Sequence, residues 1–239
     1  MDPVIQAQID KTMQELGQSV KPKERSRISK TANGYIFLIA WSNASLLRVV
    51  CKKFTDSLPK SLYRLKSQLD DACRSVVANI EEGFARQTTL EYINFLGYSR
   101  ASLIEVKGDI QRSWQDGILK SVKGSNLQNI DINLADWHES LKKTVVSRPN
   151  EIKGFYRTLR ERREQVQAEP VQNPLNSFKF LYKPVDNLKI TDLAYEIIIE
   201  LINKTDWNIR KLVESLEKKL NKDKKFYQAE KLRFSDRHF

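Results

Sequence analysis

The residues of this chain whose types could do chemistry are few, and their spacing excludes most reactions. There are two histidines, His138 and His238, and two cysteines, Cys51 and Cys73. Neither histidine has a second His or Cys at ligand spacing, which argues against a zinc or di-iron site. The acids Asp70-Asp71 and Glu81-Glu82 are adjacent pairs that point to different sides of a helix. Glu105 and Asp109 stand four apart on one helical face and could in principle hold Mg²⁺ for nucleotide hydrolysis. Lys107 and Arg112 lie beside them, and exposed acid pairs at this spacing are common. Asn79, Glu82 and Arg86 are polar residues next to an apolar seam. One reading makes Glu82 a catalytic base. The structural reading is stronger: an amide and a carboxylate at a helix end satisfy backbone N–H groups of the next helix start, and Arg86 pairs with Glu82. No P-loop, GxSxG or glycine-rich phosphate cradle is present. The expectation is a protein without a catalytic site, metal or cofactor.

Positive charge offers a better lead. The net charge is +11, from 41 Lys and Arg against 30 Asp and Glu. Two segments hold the whole excess. Residues 142–163 carry eight basic and two acidic side chains, and residues 218–239 carry eight and three. Charge gathered in this way suits a polyanion, most naturally nucleic acid, whereas a coat kept for solubility would scatter it. Lys153, Arg157, Arg160 and Arg163 recur at helical steps of three or four, beside Tyr156. Together with Lys142, Lys143, Arg162, Lys222, Lys224 and Lys225 they are the candidate nucleic-acid-binding residues. Phe155, Tyr156, Phe226 and Tyr227 could stack on unpaired bases, or serve as local core.

These residues must be positioned by helices. With 8 Gly and 7 Pro in 239 residues and 40% apolar content, the composition favours helix over a turn-rich β fold. The organising stretch is 58–117. Its first helix carries Leu62, Leu65, Leu69, Ala72, Cys73, Val76 and Ile80 in one apolar stripe. Gly83 is read as the left-handed residue closing that helix. Thr88 and Glu91 form a capping box that opens the next, whose stripe is Tyr92, Leu96, Ser99, Leu103, Val106 and Ile110, ending near Asp116-Gly117. Before this pair, 33–57 is a helix with Ile36, Ile39, Leu46, Val49, Val50 and Phe54 on one side, stopped by Leu58-Pro59. Both cysteines fall at core positions and are expected as reduced thiols.

The string Leu58-Pro59, Gln68-Leu69, Arg74-Ser75, Ala78-Asn79-Ile80-Glu81-Glu82-Gly83, Arg86 and Ala101-Ser102-Leu103-Ile104-Glu105 resembles the bacterial four helix bundle protein family. That family includes the protein encoded in intervening sequences of large-subunit ribosomal RNA genes and the accessory variability determinant of diversity-generating retroelements. The resemblance covers about 33–117, and Asn79, Glu82, Gly83, Arg86, Ser102 and Glu105 fall on its signature. It implies a ring-like homo-oligomer, five copies in known cases, and a partner enzyme such as a reverse transcriptase acting with RNA. The chain departs from the family after Gly117, where a short loop should lead straight to a fourth helix. Here 118–188 is a long insertion, with a modest amphipathic helix at 132–146, a charged helix at 151–167 and an irregular, proline-containing stretch. The fourth helix is then 190–220, with Ala194, Ile197, Leu201, Trp207 or Asn208, Ile209, Leu212, Leu216 and Leu220, capped by Thr191 or Asp192.

The resulting expectation is an all-α, up-down-up-down four-helix bundle. Residues 1–32 form a flexible N-terminal arm, 33–117 the first three bundle helices, 118–188 the insertion, 189–221 the fourth helix and 222–239 a basic tail. The expected function is a non-enzymatic, oligomeric scaffold that binds nucleic acid, RNA before DNA. The competing reading is a protein–protein interaction module whose charges serve solubility. No basic start followed by an apolar run marks a signal peptide, and no apolar run is long enough to span a bilayer, so cytoplasmic residence without a membrane partner is expected.

Overall fold

A computed structural model describes residues 34–147 and 182–235. The described residues form helices only. After a 3₁₀ turn at Gly34–Phe37 come α1 (Ile39–Asp56), α2 (Tyr63–Phe84), α3 (Thr89–Gln115), α4 (Leu134–Ser147), α5 (Lys183–Asn187) and α6 (Tyr195–Ser235). Shorter 3₁₀ turns at Lys60–Leu62, Leu127–Ile130 and Ile190–Asp192 precede α2, α4 and α6.

The four long helices pack as successive neighbours: α1 on α2, α2 on α3, α3 on α6, and α6 back on α1. Cross-contacts fix their directions. Along α1 and α2, Trp41 meets Glu81, Thr55 meets Asp70, and Asp56 meets Lys66, so one helix climbs as the other descends. On the other side, Arg100 meets Asp206 and Trp114 stacks on Tyr195, which sets α3 against α6 in the same opposed sense. The seam is filled from each stripe. Leu69, Cys73, Val76 and Ile80 of α2, Leu96, Leu103, Val106 and Ile110 of α3, and Ile197, Leu201 and Ile209 of α6 are buried. Leu62 and Leu65, at the start of the α2 stripe, are only half covered.

Sequence-level expectations need correction at several points. Ile39 is 54% exposed, and the covered face of α1 is Ala40, Trp41, Ala44, Leu47 and Cys51 together with Leu46, Val50 and Phe54. The chain is a 3₁₀ turn before Ile39, so the stripe starts one turn later and in a rotated phase. Gly83 is not a left-handed closing residue: it lies inside α2, which runs on through Phe84. A Cβ there would meet Phe95 Cβ and Tyr92 Cδ2, each at 2.7 Å, so the glycine is where α3 comes too close to α2 for a side chain. The capping box is as read: Thr88 Oγ1 accepts from Glu91 N at 3.2 Å and Glu91 Oε2 accepts from Thr88 N at 3.2 Å. Gly117 follows α3 with φ of 71°, a left-handed exit that glycine takes without strain.

The stretch after Gly117 is sewn into the core rather than appended to it. Trp137 of α4 is fully buried and its Nε1 donates to the Ser42 carbonyl of α1 at 2.8 Å. Leu119, Leu127, Ile130, Ile132 and Leu141 join the same cluster, as do Tyr182, Val185 and Leu188. The Tyr182 hydroxyl accepts from Asn133 N at 2.7 Å and donates to the Asp131 carbonyl at 3.1 Å. Glu196 and Glu200 on the first turns of α6 accept the Val122 and Leu127 backbone N–H groups, tying the loop to α6. Asp192 caps the 3₁₀ turn through Lys189 N instead of the long helix, which begins three residues later at Tyr195. Finally, α6 does not stop near residue 220: it continues as one helix through what reads in sequence as a tail, to Ser235.

Candidate nucleic-acid interface

The signature residues sit at the turn joining α2 to α3. Asn79 is half-buried and Glu82 exposed. The Arg86 guanidinium lies 4.3 Å over the Phe95 ring, a cation–π contact that anchors the turn to α3. The carboxylate that enters the core is the neighbouring Glu81, which accepts from Trp41 Nε1 at 2.7 Å. Sequence reading weighed Glu81 only as half of the Glu81-Glu82 pair; its signal was its place four residues after Val77 on the buried side. Tyr35 packs tilted against Trp41 and edge-on to Phe84. Burial, and then the Glu81 charge, push its hydroxyl up to about 12. Ser102 is half-buried on α3, and Glu105 is exposed. These contacts bind helices together.

The Glu105 and Asp109 pair lines a shallow cleft with Gln68, Asp71, Ala72, Ser75 and Arg112. Asp109 is 8% exposed and already accepts from Arg112 Nη2 at 2.5 Å, so its charge is answered by a protein cation. Among the described residues, no group of three or more His, Cys, Asp or Glu is placed to hold a metal ion. Cys51 and Cys73 are free, buried thiols facing each other across α1 and α2. The hydrogen bond to Cys51, reinforced by burial, pushes the Cys73 thiol well above its ordinary value. His238 and the basic residues Lys153, Arg157, Arg160, Arg162 and Arg163 lie outside the described residues.

The other basic candidates fall on two helices. On α4, Lys142 is half-buried and pairs with Glu139 at 2.5 Å, while Lys143 is exposed. On α6, Lys222, Lys224 and Lys225 are exposed. Up to residue 225, the last fully covered residue of α6 is Ile209, and Leu212, Leu216 and Leu220 beyond it are only half covered. At 41 residues α6 spans about 60 Å, against about 40 Å for the 27 residues of α3. Its last turns therefore run past the packed helices, carrying Lys218, Lys219, Lys222, Lys224 and Lys225. No described helix is long and apolar enough to cross a membrane.

Long helices packed around one apolar seam define an all-helical domain. Residues 37–135 match the model of the 23S rRNA-intervening sequence protein family, the family that the motif string resembles. The match takes in α1, α2, α3 and the loop up to the first residues of α4, so it extends into the stretch read as an insertion and stops short of α6. No curated protein and no solved structure matches the chain.

Proposed function

We propose that the chain is a non-enzymatic scaffold, an up-down-up-down four-helix bundle of α1, α2, α3 and α6, that binds RNA through basic helical segments. The observation that carries this reading is the projection of α6. A helix that outruns its bundle and becomes lysine-rich where it does so presents cations in a fixed array, which suits a phosphate backbone. The name of the matched family, which refers to ribosomal RNA, agrees with it. Binding residues are Lys142, Lys143, Lys153, Arg157, Arg160, Arg162, Arg163, Lys222, Lys224 and Lys225. The resemblance adds a homo-oligomer, with five copies as its pattern, and service to a partner enzyme such as a reverse transcriptase in the cytoplasm. Leu90, Tyr98 and Ile104 on α3, each more than half exposed, are apolar surface that a second copy would cover.

Charge reversal tests the reading. Lys222→Glu, Lys224→Glu and Lys225→Glu together should weaken binding to mixed-sequence RNA by tenfold or more, since each lost phosphate contact removes a counterion-release term. Helix content by circular dichroism should stay the same. The companion set Arg157→Glu, Arg160→Glu, Arg162→Glu and Arg163→Glu should do likewise and leave assembly intact. RNA binding unmoved by both sets sinks the proposal and leaves a protein–protein interaction module.

A further inference from the structure

A groove of about 740 Å³ opens where α1, α4 and α6 meet. Its lining is mostly apolar, with Ile39, Leu134 and Ala135, but it contains polar groups that helix packing does not explain. Asn43 of α1 lines it at 1% exposure, and neither its Nδ2 nor its Oδ1 has a hydrogen-bond partner among the described residues. Buried amides are nearly always satisfied, because leaving both ends unmade forfeits the hydration given up on burial. His138 of α4 lines the same groove, and its Nδ1 is also buried without a partner among the described residues. Burial, and then the Lys142 charge, hold that imidazole below its usual range, so it is neutral near pH 7. From α6, Trp207 leaves 54% of its surface open, and Lys211 Nζ stands 5.8 Å from its ring centroid.

We infer that this groove is a pocket for one unpaired nucleobase, stacked on Trp207 with its hydrogen-bonding edge against Asn43. A primary amide offers a donor and an acceptor side by side, the pattern that a base edge complements. An exposed indole is a sequence-tolerant stacking platform. Glu139 and Glu200 line the groove paired with Lys142 and Lys204, so its interior carries no excess positive charge to draw in a phosphate, and the backbone stays outside, toward Lys211. The assignment rests on the RNA-binding reading and deepens it: phosphates meet the basic helices, and one splayed base enters here.

The test uses the full chain and two RNA oligomers of about 12 nucleotides, one of mixed sequence and one abasic with the same backbone. Trp207→Leu changes an exposed residue and should fold; Asn43→Leu keeps the branched shape and removes the amide. Each substitution should weaken binding of the base-bearing oligomer about tenfold, as one lost stack does. The abasic oligomer should bind wild type about as weakly, and neither substitution should weaken it further. Adenosine, which carries no phosphate, should quench wild-type tryptophan fluorescence and fail to quench Trp207→Leu by the same amount. Tight RNA binding indifferent to both substitutions and to loss of the bases overturns the pocket and leaves the RNA-binding reading standing. Absence of binding to either oligomer, with no response to any of the four nucleosides, overturns both.

Discussion

Gly83 and Tyr35 show how single side chains set the joint between α2 and α3. An alanine methyl at position 83 would fall 2.7 Å from Phe95 Cβ, an atom held by its own backbone and unable to swing away. Gly83→Ala should therefore lower stability despite better helix propensity. Overpacking costs about 1–3 kcal/mol, against a propensity gain of up to about 1 kcal/mol. Urea unfolding followed by circular dichroism measures the balance, and a stabilised variant would contradict the close approach. Position 83 was legible as special, since glycine is rare in this chain; its reason was not, because a helix-ending glycine and a helix-crossing glycine look alike before the partner helix is placed. Tyr35 makes a pH prediction. Its hydroxyl is pushed up to about 12 in the fold, whereas an unfolded tyrosine ionises near about 10. Both states are protonated below pH 10, so stability there is complete. Between the two values only the unfolded chain releases the proton, and stability falls as pH rises. Tyr35→Phe should flatten that decline between about pH 10 and 12, read as the difference in urea midpoint between the two proteins across the window.

At the scale of elements, the long helices were readable because each carries one unbroken stripe at helical spacing, and Thr88 announces the start of α3 through its capping box. The second half of the chain was less so. Its α4 is short and its amphipathicity modest, so the stretch 132–146 read as part of an insertion. What recruits it is one residue: Trp137, fully buried, with Nε1 on the Ser42 carbonyl of α1. Nothing in the local pattern tells a tryptophan that crosses to another helix from one that covers its own. Trp137→Phe should remove that cross-helix bond, about 0.5–1.5 kcal/mol net because the carbonyl keeps its own helical donor, and thin the packing besides. If α4 is an appendage, the unfolding midpoint will not move, and protease cleavage within α4 will be as fast in wild type as in the variant. The groove described above was equally hidden. Asn43, His138 and Trp207 stand on three helices far apart in sequence, and each alone reads as an ordinary helix residue.

For the whole molecule, the question is whether the excess charge acts as one surface or as scattered solvation. The sequence places the entire +11 in two segments, and the second of them continues α6 as helix past Ile209, its last fully covered residue up to residue 225. Cations on a rigid helix keep their spacing when they meet a polyanion, so several phosphates can be neutralised together without first ordering a coil. The expected signature is a linear fall of log affinity with log salt. For single-stranded RNA its slope is about −0.7 for each phosphate contacted, so five to six contacts give a slope of roughly −4. Raising salt from about 50 to 200 mM should then cost more than a hundredfold in affinity. A homo-oligomer multiplies the contacts, and light scattering on the free protein fixes how many chains share each RNA. Charge reversal on α6 should make the slope shallower as well as the binding weaker, because contacts are removed rather than reshaped. Affinity that changes little across that salt range, or reversal that weakens binding with no change of slope, would mean that the lysines are solvated surface and that recognition lies elsewhere on the fold.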